Sequence, residues 1–142
     1  MKKYSEFTKL SIHNHFGSKD SEKKINESFN KITSMEYNSV IERLEDADKN
    51  DYELLVLTNA NTFKVIDYIS IRLLAKEYNI EILPGVEINV SNSDYTKFLH
   101  VVLILNPNSD LLDFQEELQE CYNENLKNYI TIEQLVKIIL ER

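Results

Sequence analysis

Two histidines near the start of the chain, His13 and His15, are separated by one residue in a segment of alternating apolar and polar side chains. Alternate residues of a β-strand point to the same face, so a strand here projects both imidazoles together. Two neutral imidazoles in this arrangement can chelate one divalent cation, such as Zn²⁺, Mn²⁺ or Fe²⁺. Because His-x-His is a short pattern that often arises by chance, a solvated pair on an exposed edge strand is the alternative.

The third histidine of the chain, His100, stands among the strongly apolar residues 98–104. An imidazole in such a strand is expected either to be hydrogen-bonded within the core or to bind a metal ion. All three histidines fall on predicted strands of what we expect to be one sheet. This placement favours a shared metal site over three unrelated side chains.

Two carboxylates are candidates to complete such a site. Glu87 follows Pro84 and Gly85 in the middle of an apolar strand, where a carboxylate needs a cation or strong hydrogen bonds. A glutamate at a strand end that reaches solvent is the alternative. Asp20 follows His15 closely and could turn back toward the same cation, although it is one acid among 24.

The elements that position these residues alternate between strand and helix, an order typical of an α/β fold with a mostly parallel sheet and outer helices. The polar residues 18–33 predict a long loop, and Thr131 with Gln134 predicts a capping box. Hydrophobic patterns predict four strands, at residues 8–16, 52–58, 80–90 (broken at Pro84) and 98–105. They also predict four helices: one beginning at Ser34 or Ser39, and others at 62–78, 109–122 and 131–142. The residues predicted to face the core are Val40, Ile41, Leu44 and Ala47 in the first helix, and Val65, Ile66, Ile69, Leu73 and Leu74 in the second.

Four segments, in order and at compatible spacing, resemble the motifs of the polymerase-and-histidinol-phosphatase (PHP) family. In that family a His-x-His pair precedes a Ser-Asp-Gly loop, and Thr-Asp-His, Pro-Gly-x-Glu and a strand led by a liganding histidine follow. The matching segments are 10–15 (LSIHNH) with Asp20 after it, 56–62 (VLTNANT), 83–88 (LPGVEI) and 100–105 (HVVLIL), so that the resemblance covers about residues 8–107.

The resemblance implies a partial, distorted (β/α)7 barrel with about four mainly parallel strands here, and a cluster of two or three divalent metal ions at the carboxyl ends of the strands. It makes metal ligands of His13, His15, Asp20, Glu87 and His100, and assigns catalysis to Glu87 and His100. Glu87 is the candidate bridge between two ions. The implied reaction is in-line attack of activated water on phosphorus, with the metals stabilising the leaving oxygen.

The chain departs from the family pattern at two places. Asn59 and Ala60 stand where the family has Asp-His, and Ala60 cannot bind a metal. No residue after His100 supplies the further histidine or cysteine, or the Asp-x-His pair, that family members carry on later strands. Because about four strands cannot close a barrel, we expect residues 1–142 to be a single PHP-like domain that forms the N-terminal part of something longer. The PHP–ATPase fusion type is one such arrangement, and the rest of the chain or a partner subunit would complete the barrel.

Three functions follow from these features. The first is a phosphoesterase that hydrolyses a phosphomonoester or, as a nuclease, a nucleic-acid phosphodiester. The second, favoured by Ala60, is a catalytically inactive PHP-like module with an interaction or regulatory role. A response-regulator-like binding domain comes last, because it predicts acidic residues rather than histidines at the strand ends.

Composition limits these functions further. The net charge of −8 disfavours a broad basic surface for nucleic acid, so a metal or another part of a larger protein must offset it if the substrate is nucleic acid. Cys121 is the only cysteine, which excludes an internal disulfide and fits a reducing compartment. No apolar run approaches the roughly 20 residues of a membrane span, and no secretory signal is evident. We therefore expect a cytoplasmic location and no membrane partner.

Overall fold

The computed structural model describes residues 9–16, 34–92, 94, 96–125 and 129–140. Within these ranges the chain is mixed α/β, with two three-stranded sheets and four α-helices. The elements are β1 (Leu10–Asn14), α1 (Ser34–Lys49), β2 (Leu54–Leu57), α2 (Val65–Ala75) followed by a 3-10 turn (Lys76–Tyr78), β3 (Glu81–Leu83), β4 (Gly85–Ser91), β5 (Phe98–Ile104), α3 (Leu111–Asn125), β6 (Ile130–Thr131) and α4 (Ile132–Leu140).

The first sheet is parallel, in the order β1-β2-β3. All four residues of its central strand β2 are buried. A continuous apolar run is typical of a parallel strand that is covered on both faces, which is how the sequence predicts this strand.

The second sheet has the order β5-β4-β6 and is mixed. β4 and β5 are antiparallel, with pairs from Gly85–Ile104 to Ser91–Phe98, whereas β4 and β6 are parallel. The prediction of a single sheet is therefore wrong, although three of the four strand pairs in the described residues are parallel, as predicted. Proline has no backbone N–H to donate to a ladder, and Pro84 divides the predicted strand 80–90 into β3 and β4.

The two sheets meet where the chain leaves β2. Ala60 forms an isolated parallel bridge with Glu87 in β4. The Glu87 N–H donates to the Asn59 carbonyl at 3.2 Å, and the Asn61 N–H donates to the Glu87 carbonyl at 2.7 Å. This pairing places the backbone of Glu87 beside the carboxyl end of β2.

The helices cover the sheets unequally. In α1 three of the four predicted residues, Val40, Leu44 and Ala47, are buried, whereas Ile41 is only partly buried. The prediction for α2 is wrong in part, because its buried residues are Tyr68, Ile71 and Ala75 while Ile66, Ile69 and Leu73 are exposed. Both faces of α2 are apolar, so contacts with the sheet decided which one is buried.

In α4 the capping box is confirmed: the Thr131 N–H donates to Gln134 Oε1 and the Gln134 N–H donates to Thr131 Oγ1.

The described residues contain no closed barrel. Within them β1 pairs with β2 alone and β5 pairs with β4 alone, so both are edge strands. Leu10 and Ile12 in β1, and Phe98 and Leu99 in β5, are each about half exposed.

No helix in the described part of the chain is both long and apolar enough to cross a membrane. The predicted loop 18–33 and Asp20 lie outside the described residues.

Candidate metal centre

The strand that carries the first two histidines is irregular. β1 pairs Leu10 with Leu54 and Ser11 with Leu55, but then pairs Asn14 with Leu57. One extra residue is therefore inserted in β1 between Ser11 and Asn14. Such a β-bulge bends a strand and redirects its side chains. The regular alternation predicted for residues 8–16 fails here: Ile12 is exposed, whereas Phe16, which the alternation places on the same face, is buried.

The bulge does not separate the two histidines. The Nε2 atoms of His13, in β1, and His15, directly after it, lie 2.9 Å apart. Their ring centroids are 4.9 Å apart with the planes tilted by 51°. The side chains are 53% and 43% exposed, so both imidazoles border solvent.

Glu87 completes a triangle of ligand atoms. Its Oε2 lies 2.7 Å from His13 Nε2 and 3.0 Å from His15 Nε2. Glu87 is only 6% exposed, so its carboxylate projects from the protein interior toward two partly solvated rings. His13, His15 and Glu87 thus offer three ligand atoms within 4.8 Å of one another.

His100 contacts the opposite oxygen of the same carboxylate, through its Nδ1 and Glu87 Oε1. Its side chain is 69% exposed, so the alternative of an imidazole hydrogen-bonded within the core is wrong, and the alternative of a metal ligand stays a prediction. Nothing among the described residues covers this part of β5, which is an edge strand. His100 therefore lies next to the triangle of His13, His15 and Glu87 without being one of its corners.

The three ligand atoms of the triangle could hold one divalent ion. With metal–ligand bonds of about 2.0–2.2 Å, two ligand atoms of a tetrahedral site lie about 3.3 Å apart. The three separations here, 2.7, 2.9 and 3.0 Å, are slightly shorter, so small rotations of exposed side chains would admit an ion. Neutral imidazoles protonated on Nδ1 would point two nitrogen lone pairs and a carboxylate oxygen at one place.

The ionisation state of Glu87 suits a ligand. Burial raises the pKa of its carboxyl group, but hydrogen bonds from His100 and His13, together with the nearby charge of His13 and His15, outweigh it. The net pKa lies below the ordinary value of 4.5. The carboxylate is therefore ionised at neutral pH, as metal binding requires.

The segment after β2 organises the site without supplying a ligand. Thr58 Oγ1 accepts a hydrogen bond from the Asn14 N–H at 2.7 Å, and Asn59 Oδ1 accepts one from the Phe16 N–H at 2.8 Å. Asn61 Oδ1 accepts from the Asn89 N–H in β4 and from the Tyr122 hydroxyl in α3, each at 2.8 Å. Ala60, in the middle of this segment, is paired with Glu87 through its backbone and presents only a methyl group.

Sequence reasoning identified the ligand types but missed most of these supporting residues. It noted that Asn59 is neutral and able to form a hydrogen bond but named no partner for it, and it gave Asn14, Asn61 and Tyr122 no role. A run of Thr and Asn directly after a buried strand was the available signal, because such side chains readily bond to neighbouring backbone groups. Asp20, the remaining predicted ligand, lies outside the described residues.

No protein-family model matches the chain, and no curated protein is significantly similar to it in sequence. The residues around Glu87 and their geometry are therefore the basis for a functional proposal.

Proposed function

We propose that this chain binds a divalent metal ion through His13, His15 and Glu87 and forms part of a PHP-type, metal-dependent phosphoesterase domain. The observation that carries the proposal is the convergence of one oxygen and two nitrogen atoms, from two different sheets, within 3.0 Å of one another. An imidazole–carboxylate set of this kind suits Zn²⁺, Mn²⁺ or Fe²⁺.

The arrangement of the Glu87 carboxylate supports more than one ion in the complete domain. Its Oε2 faces His13 and His15, while its Oε1 contacts His100. Glu87 can thus bridge two metal positions, with His100 as a ligand of the second. Two ions held there would supply charge stabilisation at the phosphate oxygens and an activated water. The exposure of the three imidazoles leaves room for a phosphoester, either a phosphomonoester or a nucleic-acid phosphodiester.

We further propose that additional strands complete the barrel, supplied by more of the same chain or by a partner subunit. The half-exposed apolar residues on the edge strands β1 and β5 support this proposal. Both strands carry histidines of the site, so added strands would also bring further ligands close to Glu87.

Metal analysis and hydrolysis together test the proposal. We expect protein loaded with Mn²⁺, Zn²⁺ or anaerobic Fe²⁺ and then desalted to retain at least about one equivalent of metal, because three ligand atoms already converge. Glu87→Gln should lose most of it. Glu81→Gln is the matched control, since Glu81 lies on the neighbouring strand β3 and pairs with Arg72 instead of a histidine. Retention of less than one equivalent by the wild type, or equal retention by Glu87→Gln, would contradict the metal site.

Hydrolysis of p-nitrophenyl phosphate and bis(p-nitrophenyl) phosphate then tests catalysis. We expect metal-dependent turnover of at least one substrate by the full-length protein and a large loss in His13→Ala. A wild type that binds metal but turns over neither substrate would rule out the phosphoesterase.

An inactive, degenerate PHP-like module is the second candidate, and Ala60 is the observation that favours it. The backbone of Ala60 pairs with that of Glu87, yet its methyl group offers no ligand where the family has a histidine. In this case the fold would serve an interaction or regulatory role. Less than one equivalent of bound metal, unchanged by His100→Ala, is the result that this candidate predicts.

A further inference from the structure

The residue between the two histidines, Asn14, makes more side-chain hydrogen bonds than a spacer requires. Its Nδ2 donates to the Ser11 carbonyl at 3.0 Å and to the Val56 carbonyl in β2 at 3.1 Å. Its Oδ1 accepts from the Ser11 hydroxyl at 3.0 Å. The amide thereby joins both ends of the bulge in β1 to each other and to the neighbouring strand.

The backbone of Asn14 is held as firmly as its side chain. Its N–H donates to Thr58 Oγ1 at 2.7 Å, and its carbonyl accepts from the Thr58 N–H at 2.9 Å and from the Thr58 hydroxyl at 3.1 Å. Two residues further, the Phe16 N–H donates to Asn59 Oδ1 at 2.8 Å. The backbone directly after each of the two histidines is therefore held in place by hydrogen bonds, at Asn14 after His13 and at Phe16 after His15.

These bonds matter for the site because a bulge in a parallel pair has no regular ladder to define it. A different bulge conformation would rotate His13 relative to His15 and separate their Nε2 atoms. In the described residues, hydrogen bonds among polar groups of Asn14, Ser11, Thr58 and the Val56 carbonyl hold the irregular part of β1 in the observed arrangement.

We infer that Asn14 is a positioning residue for the metal centre: its side-chain amide fixes the bulge of β1 so that His13 and His15 present their Nε2 atoms to Glu87. The inference rests on the proposed metal site and extends it to a residue that contacts no metal. Groups that orient ligands without binding the ion typically contribute tenfold to hundredfold in metal affinity.

The test compares Asn14→Ala, Ser11→Ala and the control Ile138→Val. Ile138 is buried in α4, which packs on β6, α3 and β4, so its substitution perturbs the core away from the bulge in β1. Metal affinity is measured by competition with a chromogenic chelator, and ligand geometry from the visible absorption of the Co²⁺ protein. We expect Asn14→Ala to weaken binding about tenfold to hundredfold and to alter the Co²⁺ spectrum.

Ser11→Ala removes one hydrogen bond to Asn14 Oδ1 and keeps both bonds from Nδ2. It should give a smaller loss of affinity, and it decides the question if Asn14→Ala does not fold. Ile138→Val should leave the affinity and the spectrum unchanged. Wild-type affinity in Asn14→Ala, or in Ser11→Ala when that variant decides, would overturn the inference. So would an equal loss in Ile138→Val.

Metal-free protein provides a readout that does not depend on the proposed function. In the wild type the imidazole NMR signals of His13 and His15 should differ in chemical shift from those of free histidine, because both rings are held against Glu87. In Asn14→Ala they should move toward the positions of free histidine, and unchanged signals would overturn the inference. If the wild type binds no metal but these shifts occur, the proposed metal site fails while the positioning role of Asn14 stands.

Discussion

At Glu87, opposing effects act on one carboxyl group. Burial raises its pKa, whereas contacts with His100 and His13 lower it, and the lowering is larger. The site therefore holds a buried anion whose compensation comes from three partly exposed rings. Removal of the rings would leave that charge uncompensated, so the carboxylate and the histidines stabilise one another as a unit.

This balance predicts a pH dependence of the metal-free protein. Because the folded-state pKa of Glu87 lies below its unfolded value, the unfolded state binds the proton more readily, and stability increases with pH in that range. The contribution is present above about pH 4.5 and is lost as the pH falls through the folded-state pKa. When the pH is lowered from about 6 to about 3.5, the free energy of unfolding measured in urea should fall less in Glu87→Gln than in the wild type. The same dependence of the free energy of unfolding on pH in the two proteins would refute this prediction.

At the level of elements, the meeting of the two sheets depends on Gly85 at the start of β4. A Cβ on this residue would lie 2.6 Å from the Leu103 carbonyl oxygen and 2.8 Å from the Leu57 carbonyl oxygen. Both are backbone atoms and cannot move without shifting a strand. Gly85 thus permits β4 to pass close to the end of β2, and Glu87 follows two residues later.

We expect Gly85→Ala to reduce the free energy of unfolding by about 1–3 kcal/mol, because overpacking forces strands apart. Metal affinity should fall as well, since a displaced β4 carries Glu87 away from His13. Urea unfolding and metal competition measure the two effects. Asn108→Ala, in the exposed turn before α3, is the control and should change neither. Wild-type stability in Gly85→Ala would show that the strands have room to adjust.

At the level of the whole molecule, the described part of the fold has two open edges next to the site. An exposed apolar edge strand is a template for pairing with another chain. Many natural sheets protect such edges with charge, but Leu99 in β5 and Ile12 in β1 are both about half exposed. The net charge of −8 opposes association of identical chains, though salt screens this repulsion.

The open edges predict concentration-dependent self-association of the isolated chain at moderate salt. Leu99→Lys should reduce it by placing a charge on the edge of β5. Leu112→Lys is the matched control, because Leu112 is similarly exposed but lies on α3. Sedimentation velocity over a range of concentrations measures the effect. A wild type that stays monomeric, or equal effects of the two variants, would show that the edge of β5 is not the associating surface.

The sequence by itself determined those features that depend on local pattern. Apolar runs located β2 and β5, helical periodicity located the four helices, and the buried stripe of α1 follows from that periodicity. The ligand types were also evident, because an embedded Glu87 and a His-x-His pair need few neighbours to be recognised as unusual.

The tertiary structure alone decided how these parts meet. Periodicity defines which residues share a face but not which face is covered, and so the buried side of α2 was predicted incorrectly at Ile66, Ile69 and Leu73. The bulge in β1, the antiparallel pairing of β4 with β5 and the hydrogen bonds between Asn14 and Thr58 are all non-local. They arise from contacts between residues far apart in the chain. These contacts bring two histidine nitrogens and a glutamate oxygen to one point.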